Sequence, residues 1–121
     1  MKDSTRRRLE RILEFAKKVK KRTENISTED FLQDELLQEA VMYCLGQIGE
    51  IASNIPDDEQ EKYPGIFWYQ MIGLRNRLFH DYEEINLTRV FTITQEPIVQ
   101  LIQNLETLLT TQAGRGAESV S

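Results

Sequence analysis

A chain of 121 residues is long enough to bury one hydrophobic core and too short for two domains. At 40% hydrophobic and 29% charged residues it is too apolar for a disordered chain, yet no run approaches the ~18 consecutive apolar residues of a membrane span. The net charge of −5 divides into +7 over residues 1–22 and −12 over the rest, which makes a poor generic nucleic-acid binder and leaves only local polyanion contacts.

The first segment, about 4–22, places Leu9, Ile12, Leu13, Ala16 and Val19 on one side of an amphipathic helix, with Asp3 or Ser4 as cap. Arg7, Arg11, Lys18 and Arg22 form a stripe on it, read as a solvated face. Ser27-Thr28-Glu29-Asp30 before Phe31 marks a new helix start. From about 28 to 54 the apolar positions Leu37, Val41, Cys44, Ile48, Ile51 and Ile55 step 4-3-4-3-4, a seam suited to near-parallel helix packing. Beside it run Gly46, Gly49 and Ser53. Because mid-helix glycine costs about 1 kcal/mol relative to alanine, this stripe predicts a closely approaching helix, from the same chain or from a partner. Pro56 to Tyr63 is rich in acids and reads as a solvated loop.

A helix from about 66 buries Phe67, Met71, Leu74 and Leu78. A last helical region starts near Leu87 and repeats Phe91, Thr94, Ile98, Leu101, Leu105 and Leu108, with a kink or restart expected at Pro97. From Gly114 periodicity is lost. The expected architecture is all-α: an antiparallel four- to five-helix bundle over residues 1–112, with 113–121 as a flexible tail. The single cysteine, Cys44, excludes an internal disulfide, and no apolar stretch backs the basic N-terminus as in a secretory signal. The expected compartment is cytoplasmic.

Chemistry is concentrated in Arg75-Asn76-Arg77-Leu78-Phe79-His80-Asp81-Tyr82, which holds the only histidine. On a helix, Asn76 and His80 share a face, as do Arg75 and Tyr82, but Arg75 and His80 diverge by about 140°. Their convergence needs a bend in the helix or a second copy facing the first. Each residue also has a plain structural use: His80 at a helix C-terminus, Tyr82 in an interface, Arg75 paired with Asp81 or Glu83.

The pattern Arg75-x-x-x-x-His80-x-Tyr82 resembles the signature of the HEPN superfamily in its HepT-like form. The resemblance extends to Glu29-Asp30-Phe31-Leu32, Ile48-Gly49-Glu50-Ile51-Ala52, Ile66-Phe67-Trp68 and Ile72-Gly73-Leu74-Arg75-Asn76, and so covers roughly residues 5–110. Phe67 and Phe91 stand where the family often has Pro and Trp. The resemblance implies a homodimeric helical bundle with two signature segments in one cleft. It also implies a metal-independent endoribonuclease toxin, partnered by a nucleotidyltransferase antitoxin that silences it by transferring AMP to Tyr82.

The residue types suit that chemistry. When the 2′-hydroxyl of RNA attacks its own phosphodiester, a histidine can move the proton near neutral pH and an arginine can hold the phosphate oxygens. Arg75, Asn76 and His80 are the candidate catalytic residues, and Tyr82 the candidate AMP acceptor. One His and one Cys offer no multidentate metal site, and no Walker-type loop or other cofactor motif is present. The competing expectation is a non-catalytic, nucleotide-binding or docking subunit of a two-component nucleotidyltransferase.

Overall fold

The computed structural model describes residues 1–80 and 82–120, with side chains described over 1–80 and 83–111; the expected tail at 113–121 lies outside the described side chains. Among the described residues there are only helices: α1 (Asp3–Thr23), α2 (Thr28–Leu32), α3 (Glu35–Ser53), α4 (Asp57–Glu61), α5 (Trp68–His80), a 3-10 turn (Tyr82–Glu84), α6 (Leu87–Thr94) and α7 (Glu96–Val120). No helix is long and apolar enough to cross a membrane.

The apolar periodicity faces inward as its spacing demands. Leu9, Ile12, Ala16 and Val19 of α1 are fully buried against α3 and α7, whose Val41, Cys44, Ile48, Ile98, Leu101 and Leu105 complete the core. Ser27 caps α2: its hydroxyl accepts from the Asp30 amide at 3.0 Å while the Asp30 carboxylate accepts from Ser27 N–H at 3.1 Å. Asn25, at φ 64°, turns the chain from α1 into α2.

The structure corrects two expectations and bears out a third. The helix expected from 28 to 54 is two helices, because Asp34 adopts an extended backbone and accepts from the Leu37 amide at 3.0 Å, capping α3 afresh. Buried Gln38 then donates to the Phe31 and Leu32 carbonyls left open at the end of α2. The last helical region does restart: Gln95 leaves helical geometry, and Pro97 falls in the first turn of α7, where its missing N–H costs nothing.

The acidic connector is the largest correction. Residues 57–61 form α4, and Glu59 is fully buried rather than solvated. Thr5 Oγ1 donates to Glu59 Oε1 at 2.8 Å, and Lys62 Nζ lies 2.6 Å from Oε2. These two hydrogen bonds hold the Glu59 carboxyl below the ordinary carboxylate range against the opposing effect of burial. Gln60 donates to the carbonyls of Ala52 and Ile55, and Trp68 Nε1 to Tyr63 O, so both ends of the connector are tied down.

Helix α5 packs on α3 but not closely on α7. Its other flank borders an open, mainly apolar groove of about 1030 Å³, lined by Phe67, Tyr69, Leu74, Ile93 and Pro97 among others.

Candidate functional site

The site is built on the contact between α3 and α5. A Cβ at Gly49 would overlap Arg75 Cβ and lie 2.5 Å from the Met71 carbonyl oxygen, so only glycine lets the two helices approach this closely. A Cβ at Gly46 would find ordinary contacts at 3.7 Å from Phe79 and 3.8 Å from Leu78. The small-residue stripe therefore receives a helix of the same chain, with Gly49 as the constrained position.

This approach brings Glu50, the residue after Gly49, onto Arg75. The Arg75 Nε donates to Glu50 Oε2 at 2.8 Å, and Nη2 lies 2.7 Å from the same oxygen. Nη1 donates to Asn76 Oδ1 at 2.8 Å, and the guanidinium carbon sits 4.8 Å from the centre of the Phe79 ring. The guanidinium is thus held on three sides, half-buried, with at least two of its five N–H donors uncommitted among the described residues. Such a group is pre-set to receive a phosphate oxygen without first finding its rotamer.

Helix α5 runs unbroken through His80, so no bend draws Arg75 and His80 together within one chain. His80 is exposed at the end of α5, as are Asn76 and Arg77. Asn76 meets Arg75 rather than His80, although it shares a helical face with the histidine. The acid that Arg75 meets is Glu50; Asp81 lies outside the described residues. The backbone of Tyr82 opens the 3-10 turn, and its side chain also lies outside the described residues. Among the described residues of the signature segment only Arg77 lines the large groove, so Arg75, Asn76 and His80 lie outside it. Among the described residues no group of three His, Cys, Asp or Glu side chains could hold a metal ion.

Glu50 is the residue that sequence reasoning missed. It lies 25 positions from Arg75 and stood only as a flank of the resemblance. The available signal was Gly49 beside it: a glycine inside a helix marks a close approach, and the next side chain stands at the edge of that contact.

The all-α bundle, with Arg75-x-x-x-x-His80 closing one of its helices, agrees with the resemblance to HEPN proteins. Residues 12–108 match the family described as ribonuclease HepT-like, and the chain belongs to that family. It is 35% identical over 108 residues to the "Probable ribonuclease HepT" of Thermococcus cleftensis, covering 89% of this chain and 98% of that one. Two further relatives, both named as candidate RNases, come from Caldanaerobacter subterraneus subsp. tengcongensis (35% identical; 81% of this chain, 84% of the relative) and Methanocaldococcus jannaschii (34%; 78% and 87%). No solved structure matches the chain significantly.

Proposed function

We propose that this protein is an endoribonuclease toxin that cleaves RNA through the substrate's own 2′-hydroxyl. The observation that carries the reading is an arginine clamped by Glu50, Asn76 and Phe79, on the same helix as an exposed histidine, in a chain of the HepT-like ribonuclease family. Arg75 binds the non-bridging oxygens of the scissile phosphate and stabilises the charge that builds on them. His80 accepts the proton of the 2′-hydroxyl as its oxygen attacks phosphorus. The bond to the 5′-oxygen breaks, that oxygen takes up a proton, and the products are a 2′,3′-cyclic phosphate and a 5′-hydroxyl. The nucleophile comes from the substrate, so the route requires no metal ion. Asn76 supports the site by fixing Arg75.

The working unit is a homodimer. Arg75 and His80 diverge by about 140° on a straight helix, and α5 is helical throughout, so a phosphate held by both is best met by Arg75 of one copy and His80 of the other. The small-residue stripe no longer argues for this dimer, because α5 of the same chain occupies it.

Silencing is assigned to a nucleotidyltransferase antitoxin. The Tyr82 hydroxyl attacks the α-phosphorus of ATP, pyrophosphate leaves, and tyrosyl-AMP remains two residues from His80. Its charge competes for Arg75 and its bulk fills the cleft.

The test uses purified protein shown by intact mass to be unmodified. Cleavage of RNA in EDTA, abolished in His80→Ala and Arg75→Ala, supports the enzyme; nucleotide or partner binding without cleavage supports a docking subunit instead. A monomer by light scattering at micromolar concentration removes the dimer. After co-expression with the partner, AMP additions should map to the Tyr82 peptide and vanish in Tyr82→Phe; additions on Tyr43, Tyr63 or Tyr69 overturn the acceptor.

A further inference from the structure

The face formed by α1, α3 and α5 carries exposed aromatic rings among cations. On an ideal helix Arg8, Arg11, Phe15, Lys18 and Arg22 fall within an arc of about 80°. Neither Glu10 nor Glu14 lies within that arc. Phe15 meets Tyr43 of α3 edge to face, with ring centres 6.2 Å apart, and Lys18 Nζ sits 5.2 Å from the Phe15 ring centre. Lys18 and Arg22 also lie close enough to the neighbouring Cys44 for their charges to oppose the upward push that burial gives its thiol. Tyr43 is 63% exposed, which is unusual for a ring at the junction of two packed helices. One helical turn along α3, Gly46 opens onto Phe79 of α5, which is 54% exposed and carries the Arg75 guanidinium on its face. The strip thus runs from the basic face of α1 across Tyr43 to Phe79 and ends at Arg75. Among the described residues Glu39 bounds it on α3, where Glu83 lines the same pocket, and Glu50 is already paired with Arg75.

From this juxtaposition we infer that the strip is a track for single-stranded RNA, with bases stacked on Tyr43 and Phe79 and phosphates drawn to the α1 cations. The inference rests on the ribonuclease reading and adds to it the substrate's form and path. Sequence-tolerant single-strand binders combine these two elements: cations that follow the backbone, and rings that stack any base. Duplex RNA buries the base faces that Tyr43 and Phe79 would need, so a paired substrate gains nothing from the rings. Charge complementarity selects the occupant. Four of the ten cations of residues 1–22 lie on this face, and no acid of α1 does, so in a chain of net −5 a polyanion is drawn to this face more than to the acidic remainder.

The experiment separates binding from cleavage by using a 2′-O-methyl oligouridylate of about 12 nucleotides, within the 4–16 typical of single-strand sites; it lacks the attacking hydroxyl. Fluorescence anisotropy with the full chain should show Tyr43→Ala binding roughly 5- to 100-fold more weakly, while Tyr43→Phe keeps the wild-type affinity. Lys18→Gln combined with Arg22→Gln should lower the slope of log affinity on log salt by about 0.7 for each phosphate no longer neutralised. A duplex of the same length should bind more weakly than the single strand and be indifferent to Tyr43→Ala. Unchanged affinity and salt slope in these variants overturn the track. So does a change of oligomeric state in Tyr43→Ala, which would assign the strip to a second copy of the chain. Cleavage by the wild type with no effect of the variants removes the track and leaves the ribonuclease standing. Weakened binding in the variants without any wild-type cleavage retains the track and removes the ribonuclease.

Discussion

Two carboxylate–cation pairs in this molecule use the same chemistry in opposite ways. Glu59 is wholly buried, its two oxygens taken by Thr5 and Lys62, and it fastens the α4 connector to α1. Glu50 keeps 38% of its side chain exposed and Arg75 27%; one Glu50 oxygen carries the pair, and among the described residues the guanidinium keeps donors without a partner. A buried carboxylate must have its bonding capacity filled by the protein, because water cannot reach it. A half-exposed pair can share its cation with an incoming anion. The first arrangement serves the fold, while the second suits a site that has to bind and release phosphate.

The largest expected effect breaks the site side of this comparison. His80→Ala and Arg75→Ala should each lower RNA cleavage about 10²- to 10⁴-fold, the scale set by removing a proton-transfer group or a charge clamp. Thermal unfolding of the exposed His80→Ala variant should match the wild type.

Next in size is the helix packing that sets the Glu50–Arg75 geometry. Gly49→Ala should destabilise the fold by about 1–3 kcal/mol as overpacked helices move apart. Gly46→Ala, with room for its methyl, should be neutral or stabilise by up to about 1 kcal/mol. Denaturant midpoints of the two variants give the comparison directly; equal values would contradict the close approach at Gly49.

A smaller effect separates holding from charge. Glu50→Gln retains an oxygen that can accept from Arg75 but removes its charge, and Glu50→Ala removes both. On the reading that Glu50 positions Arg75, Glu50→Gln should keep activity within about 10-fold, a difference of about 1.4 kcal/mol, while Glu50→Ala loses more. Full activity in Glu50→Ala would assign Glu50 to packing alone.

The smallest effect at neutral pH concerns Glu59. Its carboxyl is held below the ordinary range, so the stability it contributes is fully present above the unfolded value of about 4.3 and is lost as pH falls through the lowered folded-state value. Glu59→Gln should therefore melt below the wild type at pH 7, with the gap closing in acid. Lys62, raised by Glu59, adds stability that is lost only as pH rises through its raised value above about 10.4. A gap that is constant from pH 7 to pH 3 would show that hydrogen bonding, not charge, carries the Glu59 contribution.

Much of this molecule is legible in its sequence. The 3-4 spacing of Leu9, Ile12, Ala16 and Val19, the Ser27 capping box and the restart at Pro97 are local, and local rules place them correctly. The same rules fail at Asp34, where a cap interrupts a continuous apolar seam, and at Glu59, where an acid in an acid-rich stretch turns inward to a threonine 54 positions away.

What the sequence by itself determined is the helical bundle, its buried faces and the polar segment at the end of α5, because each follows from periodicity along one helix. What only the tertiary structure decided is which side chains meet: Glu50 with Arg75, Thr5 with Glu59, Tyr43 with Phe15. Those pairings depend on the depth at which helices pack. At the centre of the site that depth is set by a single missing Cβ at Gly49, through which α5 comes near enough for the next residue to clamp the arginine.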